Sequence, residues 1–185
     1  MEKIRNGFFA LALALSASAV LAADANAQGR SVDRAQVEKK VRRELVTLPY
    51  YGVFDNLAYE VNGGTVTLYG QVVRPSTRSD AERRVARLAG VARVVNRIEV
   101  LPLSGFDDSI RARTYRALFG ADSPLFRYGR GTNPSIHIVV NRGHVTLEGV
   151  VANEGDSRLA YIRARGVSGV FSVTNNLDVE RRRGR

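Results

Sequence analysis

The sequence predicts an α+β protein of two tandem αββαβ modules, each a three-stranded mixed sheet with two helices on one face. Three observations carry this. The chain repeats itself: Thr65-Val66-Thr67-Leu68-Tyr69-Gly70 returns as His144-Val145-Thr146-Leu147-Glu148-Gly149. Gly90, Val91, Val94, Asn96, Ile98 and Val100 likewise return as Gly169, Val170, Val173, Asn175, Leu177 and Val179, at a constant offset that needs no gap (145 − 66 = 79 and 179 − 100 = 79). Within each copy the hydrophobic period reads helix, strand, strand, helix, strand. Finally, a helix connects the second and third strands, which makes them parallel if adjacent, with a right-handed crossover. Helices on one face then bury both the helical stripes and the sheet.

In the first module, expected over 33–101, Asp33 opens a helix whose stripe is Val37, Val41, Leu45 and Leu48. Lys39, Lys40, Arg42 and Arg43 fall away from that stripe, on a face that is either simply solvated or meets an anionic surface. Tyr50-Tyr51-Gly52 breaks the helix, and Leu57, Tyr59 and Val61 alternate along a first strand. Asn62-Gly63 reads as a hairpin turn with positive φ at both positions, and Thr65 to Val73 returns as the partner strand. Ser79 with Glu82 reads as a capping box. The second helix is expected to bury Ala81, Val85, Leu88 and Ala89, with Gly90 at its C′ position. Val91 to Val100 is the third strand.

A short linker, Leu101 to Phe106, leads to the second module at 107–180. Asp107 or Asp108 is expected to cap a helix with the stripe Ile110, Thr114 and Leu118. Ala121 to Thr132 is a longer excursion than its counterpart in the first copy. Ile136, Ile138 and Val140 alternate in a strand, Asn141-Arg142-Gly143 turns the chain, and His144 to Val151 returns. Asn153 to Asp156 opens a helix expected to bury Leu159, Ile162 and Val167, and Val170 to Val179 closes the module. Arg181-Arg182-Arg183-Gly184-Arg185 is a basic tail, expected to be disordered.

Residues 1–27 read as a cleaved secretory signal peptide. Lys3 and Arg5 precede an apolar run from Phe8 to Ala23, and Ala25 and Ala27 supply small side chains before a cut at Gln28. The run is shorter than the ~20 residues that span a bilayer. Without a Cys after the cut, a lipid anchor is not expected, so the mature protein is read as exported and periplasmic. The formal charge is +10. It divides evenly, with thirteen Lys and Arg against eight acids both from Gln28 to Ser104 and from Gly105 to Arg185. Such a field favours polyanions, and export makes nucleic acid an unlikely partner.

The pattern Gly-x-Val-x-Leu-x-Gly, a helix, then Gly-Val-x-x-Val-x-Asn-x-Leu/Ile-x-Val resembles the BON domain. The first copy supplies Gly64, Val66, Leu68, Gly70, Gly90, Val91, Val94, Asn96, Ile98 and Val100. The second supplies Gly143, Val145, Leu147, Gly149, Gly169, Val170, Val173, Asn175, Leu177 and Val179. The resemblance implies the αββαβ fold, a non-enzymatic role at the bacterial envelope, and binding of anionic phospholipid in support of envelope integrity or osmotic stress tolerance. An alternative is an adaptor that docks a periplasmic or outer-membrane protein.

The residues themselves point away from catalysis. The chain has no Cys and only His137 and His144, neither in a nucleophile motif, and the acids are scattered. No metal or cofactor is expected. Gly70 and Gly149 are expected to mark a bend or close backbone approach, and Asn96 and Asn175 to bond a neighbouring loop. The face of the 107–119 helix is the more informative feature. Tyr115 and Phe119, beside Arg111, Ala112 and Arg116, either form an outward interfacial face or pack under the 121–132 segment or against the first module. The candidate binding residues are therefore Lys39, Lys40, Arg42, Arg43, Arg111, Tyr115, Arg116 and Phe119.

Overall fold

The structure, a computed structural model, describes residues 34–131 and 133–180; the expected signal peptide and basic tail lie outside the described residues. Helix α1 covers 34–46. Strands β1 (Asn56–Asn62) and β2 (Thr65–Val72), helix α2 (Pro75–Val85), and strands β3 (Arg93–Asn96) and β4 (Glu99–Val100) complete the first module. The second comprises α3 (Gly105–Phe119), a 3-10 turn at Phe126–Gly129, β5 (Ile136–Asn141), β6 (His144–Val151), α4 (Glu154–Arg165) and β7 (Ser172–Val179).

Both sheets are mixed, as the topology requires. β1 and β5 run antiparallel to β2 and β6, which pair in parallel with β3/β4 and β7. The parallel register is the same in both copies (93 − 65 = 28 and 172 − 144 = 28). In the first module that strand is interrupted at Arg97-Ile98, and β3 and β4 resume on one register (99 − 71 = 28). The Asn96 side chain accepts from Ile98 N at 3.1 Å there, while its Nδ2 is drawn to the Arg78 carbonyl and Glu82 carboxylate of α2 (3.1 and 3.0 Å). This local turn competes with the ladder. Asn175 reaches α4 in the same way, to Ser157, but its bond to Leu177 N is longer, 3.4 Å, and β7 stays whole. Both Asn side chains thus hold a helix, not a loop.

The α1 stripe Val37, Val41, Leu45 and Leu48 is buried with Val61, Val66, Leu68, Val72, Ala81, Val85 and Ile98. Ile110, Leu118, Ile136, Ile138, Val140, Val145, Leu147, Ala160, Ala164 and Leu177 form the matching core of the second module. Burying each such branched side chain contributes about 1.5–3 kcal/mol. Gly70 and Gly149 have φ of 113° and 122°, and a Cβ there would sit 2.0 and 2.1 Å from the carbonyl oxygens of Asn56 and Ser135. Both the left-handed backbone and the close strand approach demand glycine.

Several local expectations are corrected. α2 starts at Pro75, whose fixed φ suits the first helical position, so Ser79 is interior and donates to the Pro75 carbonyl instead of forming a capping box with Glu82. That helix ends at Val85, five residues before Gly90. Gly63 and Gly64 are the two residues between β1 and β2, and only Gly63 (φ 56°) is left-handed, not Asn62. α3 is capped by Ser104, whose hydroxyl accepts from Asp107 N. α4 buries Ser157, Ala160 and Ala164, and leaves Ile162 exposed, because small residues let the helix lie close on the sheet.

The modules are joined by more than the linker. Ile138 N donates to the Val53 carbonyl at 2.7 Å, so the segment before β1 docks on β5, and Val53 and Phe54 pack against the second core. β5 is consequently buried at each of residues 136–140, where the sequence suggested one buried face.

Candidate functional site

Lys39, Lys40, Arg42 and Arg43 are all solvent-exposed on α1. Among the described residues no carboxylate lies within 4.0 Å of any of them; the ion pairs of this helix use Arg34–Glu38 and Glu44–Arg84. Four cations therefore project from a helix anchored by its apolar stripe, with their side-chain charges unspent.

The α3 residues divide. Tyr115 and Arg116 are exposed. Arg111 is only 3 % exposed: its guanidinium donates to the Val140 carbonyl (2.7 Å) and pairs with Asp108 (2.6 Å). Phe119 is 4 % exposed and lies under Gly129, where a Cβ would come within 2.5 Å of the ring. Tyr115 makes edge contacts with Phe119 (5.2 Å between centroids) and with Phe54 of the first module (6.2 Å). For Phe119 the structure takes the packing alternative, under the 121–131 segment and, through Tyr115, across the module joint, and it corrects the outward placement of Arg111. That segment is itself fixed by Tyr128, whose hydroxyl donates to Asp156 (2.6 Å) and accepts from Ala152 N (2.9 Å).

The joint also collects the buried titratable groups. Asp55 accepts from Val73 N (2.7 Å) and Gly52 N (3.0 Å), and burial raises its pKa despite those bonds. His137 stacks on Tyr51 (5.4 Å) and its Nδ1 meets the Gly52 carbonyl at 3.2 Å; because a carbonyl only accepts, Nδ1 carries the proton. Burial lowers the His137 pKa. Burial, with help from the Asp55 charge, pushes the Tyr51 phenol up to about 12. The Asp55 and His137 side chains bond backbone, the Tyr51 and His137 rings pack together, and these contacts hold the 51–55 segment on β5. No nucleophile is set against a base there.

A feature the sequence reading passed over lies at the turn end of the second module. The Asp107 carboxylate is 1 % exposed and accepts from Arg142 N and Gly143 N, both at 2.8 Å. It thereby holds a β5–β6 turn in which Arg142 (φ 51°) and Gly143 (φ 81°) are both left-handed. Over this turn lies the exposed ring of Phe171 (69 %), with that of Phe106 (47 %) beside it, 5.8 Å away and next to Gly169. His144 meets Phe171 edge-on at 5.9 Å.

A BON domain model matches the chain at residues 33–102 and again at 107–181. The chain belongs to the BON-domain family. BON domains are phospholipid- and envelope-associated, and the family is not one of enzymes. Two solved structures of CdsD, a structural protein of the type III secretion system of Chlamydia trachomatis, are similar to this BON protein at 13 and 14 % identity. They cover 77 and 78 % of this chain and 96 and 92 % of theirs, with TM-scores of 0.27 and 0.28. A comparison with curated proteins finds no match. No described helix is long and apolar enough to cross a membrane.

Proposed function

We propose that this protein is a non-enzymatic periplasmic BON protein that binds anionic phospholipid at the cell envelope and supports envelope integrity under osmotic stress. The observation that carries the reading is the α1 face: Lys39, Lys40, Arg42 and Arg43, exposed and unpaired among the described residues, on a chain of formal charge +10. Each such cation contributes about 1 kcal/mol near an anionic leaflet. Four together give an affinity of only about millimolar. Durable attachment therefore needs a second contribution, from the other module or from apolar insertion.

Co-sedimentation with vesicles across a salt series tests this. The chain is expected to pellet with phosphatidylglycerol-containing vesicles, not with phosphatidylcholine, and to be released as salt rises. Replacing Lys39, Lys40, Arg42 and Arg43 with Gln should flatten the salt dependence. Equal recovery on both vesicle types at low salt would reject the lipid reading.

A further inference from the structure

We propose that the turn end of the second module is a membrane-insertion tip for an anionic phospholipid bilayer. Phe106 and Phe171 would enter the headgroup–acyl boundary, with Arg113, Arg142 and Arg165 on the phosphates. This rests on the lipid reading above and says where the apolar contact is made.

The two copies of the module supply the first argument. At the constant offset, Phe171 corresponds to Ala92 (171 − 79 = 92) and Arg142 to Gly63 (142 − 79 = 63). In the first module the Ala92 methyl lies 3.0 Å from where a Cβ of Gly64 would be; in the second, the Phe171 ring lies over Gly143 at the same place, 2.6 Å from its Cβ position. The fold closes this corner with a methyl group. The second module carries a ring there with most of its surface in water.

Arg142 repeats the theme. Gly63 adopts its left-handed φ freely, whereas Arg142 takes φ 51° at a cost in backbone strain, and a buried carboxylate is committed to holding it. Small residues suffice for the turn, yet the chain places a guanidinium and a phenyl ring side by side.

The surroundings suit phosphate. A Cβ at Gly169 would lie 3.3 Å from the Arg113 guanidinium and 3.4 Å from the Phe106 ring, so Arg113 flanks the aromatic pair. Its Nε is buried without a hydrogen-bond partner. Arg165 borders the groove containing Tyr161 and Phe171. Among the described residues none of these three arginines has a carboxylate within 4.0 Å, and the nearby Asp108 is already paired with Arg111. Leu103, three residues before Phe106, is 96 % exposed and adds apolar surface on the same approach to α3. Aromatic rings rimmed by arginine match the layering of a bilayer interface. A second copy fits poorly, because a two-fold contact would set this cationic rim against itself.

The test uses the chain from Gln28 onward and vesicles of phosphatidylethanolamine with phosphatidylglycerol. Phe106→Ala/Phe171→Ala should weaken vesicle binding at least about tenfold while leaving the salt slope unchanged, since the rings carry no charge. Far-UV circular dichroism should be preserved, because the first module already tolerates alanine at the Phe171 position. The natural chain has no Trp, so Phe171→Trp is a clean reporter: its emission should shift to the blue on anionic vesicles and be quenched by brominated acyl chains. Salt-sensitive binding that the double alanine variant retains within about twofold, or a Trp that does not shift in the bound state, overturns the tip and leaves the lipid reading standing. Failure of the unsubstituted protein to prefer anionic vesicles overturns both. If the alanine variant changes only the sedimentation coefficient in solution, the face is a self-association surface and the proposal fails.

Discussion

Replacing Asp107 with alanine should destabilise the second module by about 3–4 kcal/mol. The side chain is almost wholly buried and accepts from Arg142 N and Gly143 N at 2.8 Å each. A hydrogen bond to a charged acceptor is worth about 1.5–3 kcal/mol, and a donor left buried without a partner forfeits a comparable amount. Gly143 N is buried and loses this in full; Arg142 N is partly exposed, so water recovers some of its share. Relief of the buried carboxylate offsets part of the total. Left-handed Arg142 then loses its support, and that conformation costs about 1–3 kcal/mol for a residue other than glycine. For a unit of this size, 3–4 kcal/mol corresponds to a fall in Tm of roughly 15–25 °C. Because two modules need not unfold together, the fluorescence of Trp in a Phe171→Trp background, directly over the turn, is the appropriate probe in a urea titration. The same substitution combined with Arg142→Gly should cost about 1 kcal/mol less, since glycine needs no help at that φ. A loss below about 1 kcal/mol, or one that is identical in both backgrounds, refutes the clamp.

Two further outcomes follow from the fold. Gly149→Ala should cost more than about 4 kcal/mol or abolish folding of the second module, because its Cβ would stand 2.1 Å from the Ser135 carbonyl oxygen at φ 122°; Gly166→Ala, whose nearest neighbour is at 3.6 Å with ordinary φ, is the control. If urea midpoints of the two variants agree, the steric reading is wrong. Acidification should loosen the joint. Burial depresses the His137 pKa, so the unfolded chain binds the proton first. That contribution is present above about pH 6.5 and is lost as pH falls through the lower folded value. Asp55, Tyr51 and Glu148 face the ring, and Asp55, whose pKa burial raises above the ordinary carboxylate value, acts with opposite sign. Urea midpoints that stay level between about pH 7.5 and 5.5 would count against His137, and His137→Phe should flatten the slope.

What was legible in the sequence is what depends on period and on glycine. The stripe of α1, the strand alternation and the roles of Gly70 and Gly149 follow from side chains spaced for one buried face. Caps were harder. Asp107 has the composition of a helix cap, but the tertiary structure uses its carboxylate on a turn 35 residues away, and a serine in the linker caps α3 instead. Arg111 reads as outward, and Phe119 stays open between an outward and a packed position, because α3 is covered on more than the face turned to its own sheet. The 121–131 segment and Phe54 widen the buried arc, and the only signal was the extra length and aromatic content of that segment. The exposed rings escaped notice because Phe106 read as linker and Phe171 as the start of a strand.

The repeat nevertheless held the missing information, since each copy serves as a physical control for the other. Where the copies agree, as at Gly70 and Gly149 or Asn96 and Asn175, the same contact recurs on the same register, and the residue answers to the fold. The break between β3 and β4 shows how much local variation such a frame absorbs: two residues leave the ladder and the pairing resumes unshifted. A departure that the fold merely absorbs carries little meaning. Arg142 is different, because it is strained where glycine would relax and is held by a buried charge that could otherwise have stayed in water. Stability alone favours Gly63 and Ala92 at those positions. The Arg142 and Phe171 substitutions run against that preference at one surface, which is the argument for seeking a ligand there and not along the polar face of either sheet.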